Sequence, residues 1–308
     1  MLLLKSITTG LLATLVLAVT SAASAQGLGP GSPCRMPQGP GDVEPAIRAC
    51  TTLIESGSLP PSSLLEAYAN RGIIYGRLGE FSHAITDMGE ALRIDPRDTD
   101  VLSMRGSIYA QMGDFAHAMA DLNEAVRLDP RNAGALNSRG IVYASRGDYT
   151  RALPDFEMAV RLSPQNPSAL TNRGNVYASQ GNDNRAIADY TEALKVDPSI
   201  TMARLGRGQA YARRNNFSQA LSDLNDVIRQ TPQDAGAYNV RGTIYVLQGE
   251  PALAIQDFNQ SIQLNPQNTQ ALWNRGKAYE AQGDVAKATA DADHARQIDP
   301  DIAAHLGK

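Results

Sequence analysis

The chain has 308 residues, 43% hydrophobic and 19% charged, which is enough apolar material for a substantial core and is neither a disordered nor a collagen-like composition. Its 28 basic residues are set against 32 acidic ones, so there is no broad positive field for phosphates or anionic lipid, and nucleic acid is excluded as an expected partner.

At the N-terminus, Lys5 precedes an apolar run from Leu11 to Val19 and a small-residue end, Ala23-Ser24-Ala25. That is the order of a secretory signal peptide, residues 1–25, cut after Ala25. A membrane anchor is the alternative, against which the run is well short of the ~20 residues that span a bilayer. No later stretch reads as a membrane span. Cys34 follows Gly31-Ser32-Pro33 and lacks the upstream apolar residue of a lipoprotein signal. The mature chain is therefore expected to be soluble and exported, periplasmic or secreted.

Residues 26–64 form the next region. Pro30, Pro33, Pro37 and Pro40 forbid a helix at its start, after which GDVEPAIRACTTLIESG has the apolar spacing of one helix.

From Leu65 onward the chain repeats itself every 34 residues, seven times, through residues 65–300. With Leu65 as the first position, glycine recurs at the eighth from Gly72 to Gly276, tyrosine at the eleventh from Tyr75 to Tyr279, alanine at the twentieth from Ala84 to Ala288, and proline at the thirty-second from Pro96 to Pro300. The fourth, eighth and eleventh positions share one helical face, and the twentieth, twenty-fourth, twenty-seventh and twenty-eighth share another. Glycine at the fifteenth, replaced once by Asn215, supplies a left-handed break between the two helices. Asp98, Asn132, Asn166, Asp234 and Asn268 at the thirty-fourth position cap the following helix, with Ile200 the exception. A hairpin of this kind cannot bury its apolar face alone, so the expectation is an all-α stack of helix-turn-helix units.

Two charges recur in every unit. Arg71, Arg105, Arg139, Arg173, Arg207, Arg241 and Arg275 occupy the seventh position, and Asp87, Asp121, Asp155, Asp189, Asp223, Asp257 and Asp291 the twenty-third. The two positions lie equally far on either side of the turn, so folding the hairpin brings them to one height, and pairing is preferred over two independent solvated charges. The pair is expected to form within a hairpin or across to its neighbour, as a structural device fixing register.

Matching Ala46 to the twentieth position puts Cys50 at the twenty-fourth and Cys34 at the eighth, where paired helices approach. In an exported chain a Cys34–Cys50 disulfide is then expected, pinning the Pro-rich arm over an orphan second helix and capping the first repeat; free thiols or an intermolecular bridge are the alternatives.

The pattern of glycine, tyrosine, alanine, a mostly large apolar residue at the twenty-fourth position, alanine at the twenty-seventh and proline resembles the tetratricopeptide repeat over residues 65–300. Departures are Val227 and Ser261 at the twenty-seventh position, Arg204 at the fourth, and Pro154 inside a second helix, where a kink is expected. The resemblance implies a right-handed α-solenoid of seven repeats, preceded here by a half-repeat, with a concave groove lined by first helices that holds an extended peptide or a partner's helix.

The positions that line such grooves carry Asn70, Ser103, Ser107, Asn137, Thr171, Asn172, Asn175, Gln209, Asn239, Thr243, Trp273, Asn274 and Lys277. Amides and hydroxyls bond a peptide backbone as donors and acceptors without demanding charge. Asp100 and Arg213 are the charges in repeats two to six, and the lysines of the carboxylate-clamp type are absent, which disfavours acidic C-terminal tails as ligands. Trp273 serves either as an anchor for a partner or as packing for the tail, residues 301–308. That tail is too short for a full capping helix, so the last second helix caps itself or this end dimerises.

No catalytic residues, metal site or cofactor are expected. His83 and His117 fall at the nineteenth position of consecutive repeats, where packed helices lie ~8–10 Å apart, too far for one zinc ion with ligands at ~2 Å, and read as surface histidines with His294 and His305. The expected function is a non-catalytic scaffold that binds another protein. A self-assembling structural protein and an accessory subunit of cell-wall enzymes are the rivals.

Overall fold

The structure, a computed structural model, describes residues 32, 34–37 and 39–306. The expected signal peptide lies outside them.

Among the described residues there are 16 α-helices and no strands. The helix foreseen before the first repeat is α1 (Val43–Glu55). First helices are α2 (Pro61–Arg77), α4 (Thr99–Gln111), α6 (Ala133–Ser145), α8 (Pro167–Ser179), α10 (Thr201–Arg213), α12 (Ala235–Leu247) and α14 (Thr269–Ala281). Second helices are α3 (Phe81–Ile94), α5 (Phe115–Leu128), α7 (Tyr149–Leu162), α9 (Asp183–Val196), α11 (Phe217–Gln230), α13 (Pro251–Leu264) and α15 (Val285–Ile298), and a short α16 (Ile302–Leu306) follows. The first repeat begins a turn earlier than its period indicates, because Pro61 opens α2 at a position that needs no backbone N–H. Helix α7 runs through Pro154 as one element.

The helices fall into two compact units divided after Pro164. The N-terminal unit contains α1 and three hairpins, and the C-terminal unit contains four hairpins and α16. Each is a stack of α-solenoid type in which every first helix packs on its own second helix, and within each unit successive hairpins pack on one another.

The local rules read from the sequence produce these elements. Every break between the helices of a hairpin has a positive φ, from Gly79 at 77° to Gly283 at 80°, and Asn215 takes the same conformation at 59°. Asp98, Asn132, Asn166, Asp234 and Asn268 accept backbone N–H bonds at first-helix starts, while Ile200 offers none. A second set of caps was not foreseen: Asp114, Asp148, Asn182 and Asp284 do the same for second helices. Small residues at the eighth position are required by packing. A Cβ on Gly140 would lie 2.8 Å from the Phe156 ring. Between hairpins the core is made by residues such as Ala84, Met88, Val101 and Ile108 in the N-terminal unit and Leu224, Val227, Val240 and Ile244 in the C-terminal one.

All seven Arg–Asp pairs form within their own hairpins, with Nε and Nη2 of the arginine each donating to one carboxylate oxygen at N–O distances of 2.7–2.8 Å. The aspartate side chains are 5–10% exposed and the arginines 16–24%. The third guanidinium nitrogen reaches the preceding hairpin. Nη1 of Arg71, Arg139, Arg207, Arg241 and Arg275 donates to Thr51, Asn123, Thr191, Asn225 and Asn259 at 2.6–3.2 Å. The Arg–Asp pair thus forms within the hairpin and not across to its neighbour, while in these five cases the same arginine also bonds an uncharged side chain of the helix before it. For Arg71, Arg105, Arg139, Arg207, Arg241 and Arg275, the hydrogen bond to aspartate raises the pKa further above its ordinary value, against an opposing contribution from burial.

At the N-terminal end Cys34 and Cys50 form a disulfide, both residues almost fully buried against Ala67, Leu53, Ile54 and Leu59. The Cys34 carbonyl accepts a hydrogen bond from Asn70 Nδ2 at 3.1 Å, and Met36 packs on the first core cluster. The arm is thus bonded to α1 through the disulfide and to α2 through Asn70. At the other end α16 is short, as foreseen, yet it caps: Ile302 is buried with Leu272 and Ala295.

Asp223→Asn leaves Arg207 partly buried and uncompensated, and urea unfolding should show a loss of about 3 kcal/mol, the low end for a buried pair because the arginine retains some water. Glu192→Gln, from the exposed Lys195 pair, should change stability by less than ~0.5 kcal/mol. Unreduced mature protein should offer no alkylatable thiol in mass spectrometry, and reduction should destabilise the N-terminal unit by roughly 3 kcal/mol, as suits a loop of 16 residues' separation.

Candidate functional site

The surface of interest is the face that first helices turn away from their own second helices. Its polar residues are more enclosed than their positions indicate. Ser103, Ser107, Asn137, Thr171, Gln209, Asn239, Thr243 and Asn274 are all buried. Asn70, Asn172, Asn175 and Trp273 are half-buried, and Lys277 is exposed. The reason is the close approach of successive first helices: the ninth position of one meets the sixth of the next. Ser107 donates to Ser138 at 2.9 Å in the N-terminal unit, and Asn274 Nδ2 donates to Thr243 Oγ1 at 3.2 Å in the C-terminal unit. Much of the expected lining is thus seam between neighbouring helices.

Asp100 accepts from Asn132 at 2.8 Å. Arg213 donates to Asp183 through Nε at 2.8 Å, with the two side chains only 12% and 14% exposed. That partner lies 30 residues upstream and was not legible from the repeat.

The least repetitive feature is Tyr190. It stands at the twenty-fourth position, where other units carry Met88, Leu122, Phe156, Leu224 or Phe258, and it is fully buried. Its ring passes between Gly174 and Gly206, and a Cβ on Gly206 would come within 2.7 Å of its Cζ. The hydroxyl emerges on the first-helix face and donates to Asn175 Oδ1 at 2.7 Å. Burial pushes its pKa well up, so it remains a neutral donor. The signal in the sequence was Gly206, one helix later, the one repeat with glycine at the sixth position.

Among the described residues, two buried side-chain acceptors have no hydrogen-bond partner: Gln209 Oε1 on α10 and Asn239 Oδ1 on α12.

Trp273 lies under two cations, Lys277 Nζ at 5.9 Å and Arg296 Cζ at 5.5 Å from its ring centroid, and packs on the cluster that contains Ile302. His83 and His117 are exposed, stack on Tyr75 and Tyr109 at 5.0 Å, and bond to Glu80 and Asp114. Among the described residues no three His, Cys, Asp or Glu side chains are grouped to hold a metal, and no helix is long and apolar enough to cross a membrane.

Family models described as Tetratricopeptide repeat match residues 65–98, 103–167 and 171–235, and one described as TPR repeat matches 242–283. Together they account for well over half of the chain. No curated protein matches it. Among solved structures, a tetratricopeptide repeat protein from Parabacteroides merdae is 23% identical, with 79% of this chain and 96% of that one covered and a TM-score of 0.58. PilW, a widely conserved type IV pilus biogenesis factor, is 20% identical, with 68% and 96% covered and a TM-score of 0.60. YrrB, a TPR protein with an unusual peptide-binding site, is 23% identical, with 60% and 95% covered and a TM-score of 0.51. At these identities the likeness is one of fold.

Tyr190→Phe should cost about 1 kcal/mol through the lost bond to Asn175. The sign of its pH effect is set by the raised pKa: stability from the neutral phenol is full below pH 10 and is lost as pH rises through the folded-state value. Melting temperature measured upward from pH 10 should therefore fall more steeply in the parent than in Tyr190→Phe.

Proposed function

We propose that this chain, which belongs to the tetratricopeptide repeat family, is a non-catalytic scaffold that binds an extended segment of a partner protein on its first-helix face. One contact carries the reading. Asn70, at the sixth position of the first repeat, donates to the backbone carbonyl of Cys34 in the chain's own arm. A first-helix amide here already holds a main-chain carbonyl of a non-helical segment.

The rest of the face has similar chemistry. Asn172 and Asn175 are half-buried amides, and the charges foreseen on it are engaged, Arg213 with Asp183 and Asp100 with Asn132. Such a surface reads main chain more than charge. The peptide-binding site of the structurally similar YrrB supports this use of the fold. The signal-peptide pattern of residues 1–25 supports a scaffold that works outside the cytoplasm, in the periplasm or secreted, with an envelope or extracellular protein as its partner.

Ser179 shares a helical face with Asn172, two turns on along α8. With a photo-crosslinking residue at Ser179, the mature chain should give adducts with a protein from an envelope extract; the same residue at Glu192, exposed on second helix α9, should give none. Adducts from 192 alone would contradict the reading. Crosslinks only between copies of the chain, growing with its concentration, would turn it toward self-assembly.

A further inference from the structure

We propose that the turn end of the sixth hairpin, at Tyr245, Glu250 and Leu253, is a docking site for a basic side chain of a partner protein, an arginine or lysine flanked by apolar residues. The site joins the end of α12 to the start of α13, apart from the first-helix face, and does not rest on the reading given above.

At every other hairpin with an acid in the sixteenth position, the chain supplies its own basic residue at the nineteenth. Glu80 bonds His83, Asp114 bonds His117, Asp148 bonds Arg151 and Asp284 pairs with Lys287. Each of these basic groups also lies 4.6–5.2 Å from the ring centroid of the eleventh-position tyrosine, Tyr75, Tyr109, Tyr143 or Tyr279. A carboxylate and an aromatic ring thus bracket one basic group, with ion pairing and cation–π attraction acting together.

The sixth hairpin has both walls without the occupant. The Glu250 N–H donates to the Tyr245 carbonyl at 2.8 Å, as its counterparts do at 2.9–3.0 Å in the other four turns, so acid and ring are set alike. At the nineteenth position, however, stands Leu253. The Glu250 carboxylate makes no cap bond and has no ion-pair partner among the described residues. The neighbouring cations are committed elsewhere, Arg241 to Asp257 and Lys287 to Asp284. They neither fill the place nor leave an uncompensated positive charge to repel an incoming one.

The surroundings select the rest of the ligand. Leu253 is 41% exposed, and Val285, in the first turn of the next second helix, is 68% exposed. A single exposed leucine is ordinary, but one that replaces the cation beside an unpaired acid is not accounted for by the repeat. These side chains offer apolar surface to the methylene stem of a lysine or arginine and to an apolar residue next to it. Arginine fits best, since a planar guanidinium stacks on a ring while donating to a carboxylate.

The probe is a phage-displayed library of linear peptides, selected on the mature protein and depleted on its Leu253→Lys variant, which fills the place from the chain itself as Lys287 does. Surviving peptides should carry arginine or lysine beside an apolar residue. Measured by fluorescence anisotropy, replacing that residue with an uncharged isostere should weaken binding to the parent about fivefold and should change nothing for Glu250→Gln. Leu253→Lys should melt no lower than the parent, because its ammonium meets Glu250 and Tyr245. A lower melting temperature would overturn the proposal by showing that the two walls do not accept a cation. Survivors without a basic residue, or an isostere effect that persists undiminished in Glu250→Gln, would overturn it as well. Peptides bound on the first-helix face are removed in the depletion step, so a selection with no survivors would overturn this proposal and leave the first-helix reading standing.

Discussion

One guanidinium per repeat sets the geometry on which the rest depends. Each seventh-position arginine closes its hairpin on a twenty-third-position aspartate with two parallel hydrogen bonds, and Arg71, Arg139, Arg207, Arg241 and Arg275 donate a third to the helix before theirs. A bidentate fork tolerates little sliding, so it fixes the height of the two helices at the same time as it fixes one hairpin against the last. Apolar contacts between alanines and branched side chains provide the bulk of the stability, but they are less exacting about register. For Arg105 the equivalent acceptor is missing for a visible reason: Gly89, which has no side chain, stands at the position held by Thr51, Asn123, Thr191, Asn225 and Asn259 in front of those five arginines.

With register fixed, glycine at the eighth position brings each first helix tight onto its second, and the seams between first helices close over polar side chains. Hydroxyls and amides there become inter-helix contacts. The face that results is polar but largely spoken for. Position in the repeat made these residues candidates; what separates them is how each seam is filled, by serine against serine at 107 and 138 or by threonine against asparagine at 243 and 274.

That contrast shows what the sequence could tell. The hairpins, their breaks, the first-helix caps, the seven ion pairs and the Cys34–Cys50 bond were legible because each depends on residues at a fixed distance along the chain. Tyr190 with Asn175, and Arg213 with Asp183, were not, because they join unlike positions of different helices and occur once. Burial of the first-helix face was missed for a related reason. Helical periodicity says which way a side chain points but not how close the next helix comes, and that distance is set by small residues elsewhere, Gly174 and Gly206 among them.

The most direct test is a crystal structure of the mature chain with a linear peptide bound. The account predicts an extended backbone crossing the first-helix face, with its main-chain groups about 2.7–3.2 Å from first-helix side chains. A peptide lying on the second helices, or one bound as a helix whose side chains alone touch the protein, would contradict it.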